Sequence, residues 1–289
     1  MTDDARLREE VRSYYDTVSR YIEVELVRRD DQAFWERIVE RTTRPSVLDL
    51  GCGTGRITEI LSRDATTVVG IDLSRTMLRR ARERLKDRPD VHLIVADMRS
   101  LRLARSFELI TAANDPFAHL VEDEDRDRAL ETVAEHLDPD EGRFVLDAFW
   151  LGEERLEQAA RPGGYRRERT LEADEAGRAA PLRIRETWRC DRETRRCRVC
   201  YEYIPGADRE RNGARPGDLH EKEKTKEEEK EGRADRATFH ARLWSVGELE
   251  SRLEGVGLRI EALHGGFDGR SFDPRDASHL VVDASMRAP

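Results

Sequence analysis

A chain of 289 residues with a formal charge of −9 and 39% charged residues lacks the basic excess that nucleic-acid binding demands. It holds no apolar run long enough to span a membrane, its opening MTDDARLREE has no apolar leader core, and four cysteines are too few for a disulfide framework. One domain, or one domain carrying an insertion, is expected, without a membrane partner and in the cytoplasm.

In chain order, Val11, Tyr14, Val18, Tyr21, Ile22 and Leu26 recur at helical spacing, and Phe34, Trp35, Ile38 and Val39 repeat the pattern. Residues 1–42 are expected to form a helical lid over a ligand crevice, with most of these side chains packing. Val47 to Leu50 then has the apolar character of a strand buried on both faces, and it breaks into Gly51-Cys52-Gly53-Thr54-Gly55. Alternate glycines permit positive φ and close approach of a ligand to the backbone. The helix that follows, roughly Arg56 to Arg63, would aim its free N–H groups into the same crevice. The spacing fits neither the dinucleotide fingerprint G-x-G-x-x-G nor the phosphate loop G-x-x-x-x-G-K-[S/T].

The string VLDLGCGTG resembles motif I of the class I S-adenosylmethionine (SAM)-dependent methyltransferases, and the likeness continues for most of the chain. Val68 to Ser74, with Met77-Leu78 and Ala81-Arg82 after it, resembles that family's second strand and helix. The resemblance implies SAM as cofactor, held by Asp49, Gly51, Cys52, Gly53 and Gly55. It further implies Asp72 on the ribose hydroxyls, with Leu73 and Met77 beside the adenine. A carboxylate suits a vicinal diol because it accepts two hydrogen bonds at once. His92 to Met98 resembles the third strand, which implies Asp97 on the adenine amino group with Met98 next to it. Phe107 to Asn114 resembles the fourth strand, with Ala113 and Asn114 nearest the methionine end, and Gly142 to Phe149 the fifth. Ser245 to Val282 resembles the closing helix and hairpin.

Asp115-Pro116-Phe117-Ala118-His119-Leu120 is similar to the x-S-x-x-H-L pattern of small-molecule methyltransferases, including sugar-amine N-methyltransferases, with Pro116 where Ser is frequent. Those enzymes carry an antiparallel insert after the fifth strand that covers the substrate and makes a dimer contact. Arg183–Cys190, Arg196–Ile204 and Thr238–Leu243 have the pattern of three such strands. Between them, 206–236 is almost without large apolar residues and is expected to be a charged loop. Cys190, Cys197 and Cys200 are expected to be ordinary strand cysteines. The Cys-x-x-Cys at 197–200 lacks the second pair a structural zinc needs, so no metal is expected.

The fold expected is α/β, a doubly wound, mostly parallel seven-stranded sheet of Rossmann-like type with an antiparallel β insert. The expected segments are 1–42 (lid), 43–150 (SAM core), 151–243 (insert) and 244–289 (closing helix and hairpin). Methyl transfer is an in-line displacement that asks the protein mainly for alignment. His119, an imidazole at the carboxyl edge of the sheet, is the leading acid/base candidate. Tyr14 is assigned to the cofactor and Tyr15 to catalysis, on a likeness to the family's lid tyrosine. The expected function is SAM-dependent methylation of a small molecule at an amine nitrogen or a hydroxyl, with a homodimer formed through the insert. Methylation of RNA or protein, and a non-catalytic SAM-binding regulatory module, are the competing readings.

Overall fold

The computed structural model describes residues 3–22, 29–172, 181–206 and 234–287. Leu26 and the lysine-rich run from Lys222 to Lys230 lie outside them. No described helix is long and apolar enough to cross a membrane.

The central layer is a seven-stranded sheet in the order β10-β11-β5-β4-β1-β2-β3. Its strands are β1 (Ser46–Leu50), β2 (Thr67–Asp72), β3 (Val91–Val95), β4 (Leu109–Ala112), β5 (Arg143–Phe149), β10 (Leu258–His264) and β11 (His279–Met286). β1 to β5 pair in parallel, and the β10–β11 hairpin joins antiparallel to β5. The order reverses between β1 and β4, so a crevice opens at the carboxyl ends of these two strands, where open α/β sheets hold ligands.

Strand alternation divides the core. Val47, Val68, Leu109, Val145 and Val281 point to one face, where they meet α3 (Arg56–Leu61) and Phe34, Trp35, Ile38 and Val39 of α2 (Gln32–Glu40). Leu48, Leu50, Val69, Ile110, Phe144 and Leu146 point to the other, against α5 (Asp123–His136) and α7 (Val246–Gly255). That period of two on a buried parallel sheet is what the continuous apolar runs of these strands require. The placement of α2 corrects the expectation of a two-helix lid. Its four apolar residues are engaged beneath the sheet, and among the described residues of 3–42 those of α1 (Asp3–Val18), with Ile22, line the crevice.

The insert is helix α6 (Glu153–Ala160) followed by a four-stranded antiparallel sheet in the order β6-β7-β8-β9: Tyr165–Leu171, Leu182–Cys190, Arg196–Pro205 and Asp235–Arg242. Its inner face carries Ile184, Trp188, Val199, Tyr201, Tyr203 and Phe239, and closes on Tyr14 and Val18 of α1 and on Tyr21. Tyr21 stacks on Tyr203 at 4.1 Å. Polar contacts fasten α1 to the edge strand β9: Glu10 accepts from the His240 backbone N–H at 2.6 Å, and Arg20 pairs with Asp235 at 2.6 Å. A strand edge with an unpaired N–H is thereby capped by a carboxylate.

Two further expectations are corrected here. β6 (YRRERTL) is a fourth strand that the reading of three missed, because it is an edge strand with charged residues on both faces. Cys190 and Cys197 are joined in a disulfide where ordinary strand cysteines were expected. They are register partners across the β7–β8 hairpin, so their side chains lie on one face. Cys200 falls on the opposite face and stays reduced and buried. Among the described residues no group of side chains could hold a metal ion.

Candidate active site

The glycine turn is built on backbone conformation. Gly51, Gly53 and Gly55 have φ of 68°, 56° and 78°, a region costly to residues with a Cβ. A Cβ on Gly51 would sit 2.5 Å from Cβ of Pro116, so this glycine lets the turn after β4 approach the turn after β1. Gly55 is not among the residues that line the two cavities below. A Cβ there would meet Leu85 at 2.8 Å and Ala81 at 3.2 Å, so it seats α3 against α4 (Arg75–Arg84).

Asp72, at the end of β2, accepts from the backbone N–H of Gly53 at 2.9 Å and of Ser74 at 2.7 Å. Burial pushes its carboxyl up to about 6, against the opposing effect of these two hydrogen bonds. Asp49, buried within β1, is likewise pushed by burial to about 6 and accepts from Thr58 at 2.6 Å and Thr111 at 3.0 Å.

Two adjoining cavities, open to solvent and enclosing with their mouths about 570 and 610 Å³, share Tyr15, Gly51, Asp72 and Pro116. The first takes in Ile22, Asp49, Cys52, Gly53, Arg56, Met77, Ala113 and Asn114. The second takes in Arg8, Leu73, Asp97, Met98, Arg99, His119 and Asp125. The structure therefore brings together Tyr15, Asp49, Gly51, Cys52, Gly53, Asp72, Leu73, Met77, Asp97, Met98, Ala113, Asn114 and His119, all proposed from sequence.

It leaves Tyr14 out. That ring is buried against Phe239 at 4.4 Å and lines neither cavity; the next residue, Tyr15, faces inward. On a helix adjacent residues point about 100° apart, so only one of the two can face the crevice.

Past β4 the backbone is strained: Asn114 and Asp115 have φ of 62° and 50°. Consecutive non-glycine residues in this region persist only where surrounding contacts hold them. Here those contacts are visible. The Asn114 N–H donates to Asp147 at 2.9 Å, its carboxamide oxygen accepts from Arg29, and the Asp115 carboxylate accepts from the Phe149 N–H at 2.9 Å. Burial pushes the Asp115 carboxyl to about 7. The strained pair leads into a 3-10 turn, Pro116–His119, that aims His119 into the second cavity.

His119 Nε2 and the Tyr15 hydroxyl lie 2.8 Å apart. Burial lowers the imidazole to about 4 and raises the phenol far above its ordinary value, so both are neutral near pH 7. His119 Nδ1 is buried without a hydrogen-bond partner. The pair has one neutral imidazole, one neutral hydroxyl and free hydrogen-bonding capacity beside the cavity.

Sequence reasoning missed Arg8, Arg56, Arg99 and Asp125, which line the cavities without belonging to a local motif. Arg99 pairs with Asp97 at 2.7 Å and with Asp125 at 2.7 Å, and Arg8 reaches Asp97 at 3.5 Å. Burial would raise Asp97, but the Arg99 contacts outweigh it and hold the carboxyl below its usual range.

The chemistry of this donor set fits SAM. It combines a glycine turn that a Cβ would close, a strand-end carboxylate for a diol, and a continuous crevice with an acid at each end.

A model of the methyltransferase domain matches residues 47–140. The chain is 32% identical over 225 residues to the dTDP-3-amino-3,6-dideoxy-alpha-D-glucopyranose N,N-dimethyltransferase of Streptomyces fradiae, covering 78% of this chain and 74% of that protein. It is 36% identical over 108 residues to the dTDP-3-amino-3,4,6-trideoxy-alpha-D-glucopyranose N,N-dimethyltransferase of Streptomyces venezuelae, spanning 37% of this chain and only 44% of that relative. Among solved structures, DesVI of Streptomyces venezuelae superposes with a TM-score of 0.67 at 23% identity, over 99% of this chain and 100% of that one. The SAM-bound amino pentose methyltransferase CalS10 of Micromonospora echinaspora does so with 0.68 at 21%, over 92% and 96%. At those identities the likeness speaks for the fold, whereas the relative from Streptomyces fradiae carries the family. The chain belongs to the class I SAM-dependent methyltransferases.

Proposed function

We propose that this methyltransferase alkylates the amine nitrogen of a small-molecule acceptor, and that the acceptor is an amino-deoxysugar borne on a nucleoside diphosphate. The sugar assignment is supported by the relatives' substrates. The observation that carries the amine is the neutral Tyr15–His119 pair, 2.8 Å apart, facing the cavity that also holds Asp72.

Bound SAM would supply an electrophilic methyl group on a sulfonium. The chain's own residues do the rest. Asp72 would accept from the two ribose hydroxyls, Asp97 from the adenine amino group, and Asp49 and Asn114 would line the methionine end. Leu73, Met77 and Met98 supply apolar walls. Tyr15 borders both cavities and its hydroxyl lies 2.8 Å from His119, so the acceptor nitrogen is placed beside this pair. His119 accepts an N–H hydrogen bond from the amine and turns its lone pair toward the methyl carbon. As the N–C bond forms the C–S bond breaks, the positive charge passes from sulfur to nitrogen, and the methylated ammonium loses a proton to solvent only before a second methylation. An imidazole lowered to about 4 accepts a hydrogen bond from the amine and does not take up its proton. Alignment of this kind is worth roughly 7–11 kcal/mol in the best cases.

The test is a methyl-transfer assay with labelled SAM and dTDP-3-amino-3,6-dideoxy-alpha-D-glucopyranose. The expected result is product heavier by one or two methyl groups. His119→Ala should lower kcat by about 100-fold while SAM affinity stays within threefold, in line with the usual share of acid–base groups. Label appearing in RNA or polypeptide, with none in any amino sugar, would refute the acceptor class. Tight SAM binding with no transfer to any acceptor would mark a regulatory module.

A further inference from the structure

One buried cation outside the crevice has no part in the reaction above. Arg126, on α5, is among the most deeply buried side chains and has no exposed surface. Burial lowers its guanidinium to about 10, so it keeps its charge at neutral pH. Taking an arginine out of water costs several kcal/mol unless each donor finds a partner.

Its partners converge on one place. Nε donates to the backbone carbonyl of Leu120 at 2.9 Å, the residue next to His119. One terminal nitrogen donates to the carbonyl of Arg242, the last residue of β9. The other pairs with Glu248 of α7 at 3.3 Å. The guanidinium carbon stands 3.8 Å over the Trp244 ring, and Trp244 packs against Phe117 of the same 3-10 turn. The turn that carries His119 is thus gripped through its last carbonyl and through its aromatic residue, both by way of Arg126.

We propose that Arg126 is a positioning residue: it fixes the His119 turn and couples it to the edge strand of the insert. The role rests on the reading of His119 as the acceptor-side group. A fixed planar fork is what the site requires, because two carbonyls and a carboxylate must be met at once. A lysine cannot reach all three.

The test reads the position of His119 apart from turnover. The titratable groups that line the cavity with the imidazole are Tyr15 and Arg8 of α1, Asp72 of β2, Asp97 and Arg99 beyond β3 and Asp125 of α5; Asp115, before its own turn, acts on Tyr15, and β9 presents Phe239. In the full-length protein, imidazole NMR should titrate His119 near 4. In Arg126→Met, a loosened turn admits water and moves that value toward the ordinary 6.5; Arg126→Lys should give an intermediate value and remains readable if the methionine variant does not fold. Arg252→Ala is the control. It breaks pairs with Asp123, Asp127 and Glu248 on the same α5–α7 surface, so it should lower Tm without moving His119. An unmoved imidazole in the Arg126 variants, or an equal shift in Arg252→Ala, overturns the proposal.

Kinetics with the dTDP-amino sugar separate the two readings. Arg126→Lys should lower kcat about tenfold, leave KM for SAM within twofold, and add nothing to His119→Ala. A full further loss in the double variant overturns the positioning role and leaves His119 standing. A His119→Ala enzyme with an unchanged rate removes the acceptor-side reading itself, and with it the catalytic consequence of Arg126.

Discussion

The cofactor side and the acceptor side of the crevice are built in opposite ways. The ribose end of the cofactor side is local: its glycines, Asp49 and Asp72 come from β1, β2 and the turn after β1, and they are joined by hydrogen bonds from backbone N–H to carboxylate such as Gly53 N–H to Asp72 at 2.9 Å. The acceptor side is assembled from distant pieces. Tyr15 and His119 meet across 104 residues of sequence, α1 is held by β9, and the His119 turn is held by α5. The lesson is that the donor depends on a few rigid backbone positions, whereas the acceptor depends on tertiary contacts, each replaceable by another fold of the insert.

The largest effect that can test this contrast lies on the cofactor side. Asp72→Ala removes the ribose acceptor and also the carboxylate that receives the Gly53 and Ser74 N–H groups. Each hydrogen bond to a charged group is worth roughly 1.5–3 kcal/mol, so SAM affinity should fall by about 100-fold or more by calorimetry. The circular dichroism spectrum should be retained, because Ser74 still caps α4 by accepting from Met77 N–H. Near-native affinity would break the ribose assignment and with it the claim that the donor site is local.

The same contrast explains what was legible in the sequence. Motif I reports conformation: glycine takes the left-handed φ values at 51 and 53 at no steric cost, and a Cβ at 51 would strike Pro116, so the string of letters is already a three-dimensional statement. Asp72 is legible because it ends a strand whose apolar run fixes its position. Tyr14 and Tyr15 were not separable, since both fit the helical pattern and only the docking of α1 on Phe239 decides which one turns inward. The disulfide depended on the register of β7 and β8, which spacing does not give. The edge strand β6 carries no alternation because little is packed against it. Arg126 was invisible for a related reason: on a helix rich in charge, nothing local distinguishes a buried arginine from a solvated one.

A smaller effect should come from a residue where the two sides touch. Gly51→Ala demands φ near 68° of an alanine and places its Cβ 2.5 Å from Pro116 Cβ. The left-handed backbone alone costs about 1–2 kcal/mol, and the clash falls on the turn that leads to His119. Tm should drop by several degrees, and both SAM affinity and kcat should fall by about 10- to 30-fold. A loss confined to SAM affinity would show that the two regions are independent across this contact.

The smallest effect is one of pH, and it reads the cofactor side alone. Asp72 has a folded pKa of about 6, raised by burial from 3.8. The sign follows directly. A raised carboxyl binds its proton more tightly in the native state, so its contribution to apo stability is present below the unfolded value and is lost as pH rises through about 6. His119, lowered to about 4, acts in the reverse direction, and its contribution is lost as pH falls from 6.5 toward 4. SAM binding needs Asp72 ionised to accept from two hydroxyls, so acidification opposes it. Calorimetric Kd for SAM should be about tenfold weaker at pH 5 than at pH 7, and Asp72→Asn should reduce that dependence, leaving the part due to Asp49, whose carboxyl is also raised to about 6. His119→Ala should leave it in place. If the slope instead disappears with His119 and survives in Asp72→Asn, the acidic group that governs SAM affinity belongs to the acceptor side, and the division between a local donor site and an assembled acceptor site fails at the point where it was drawn.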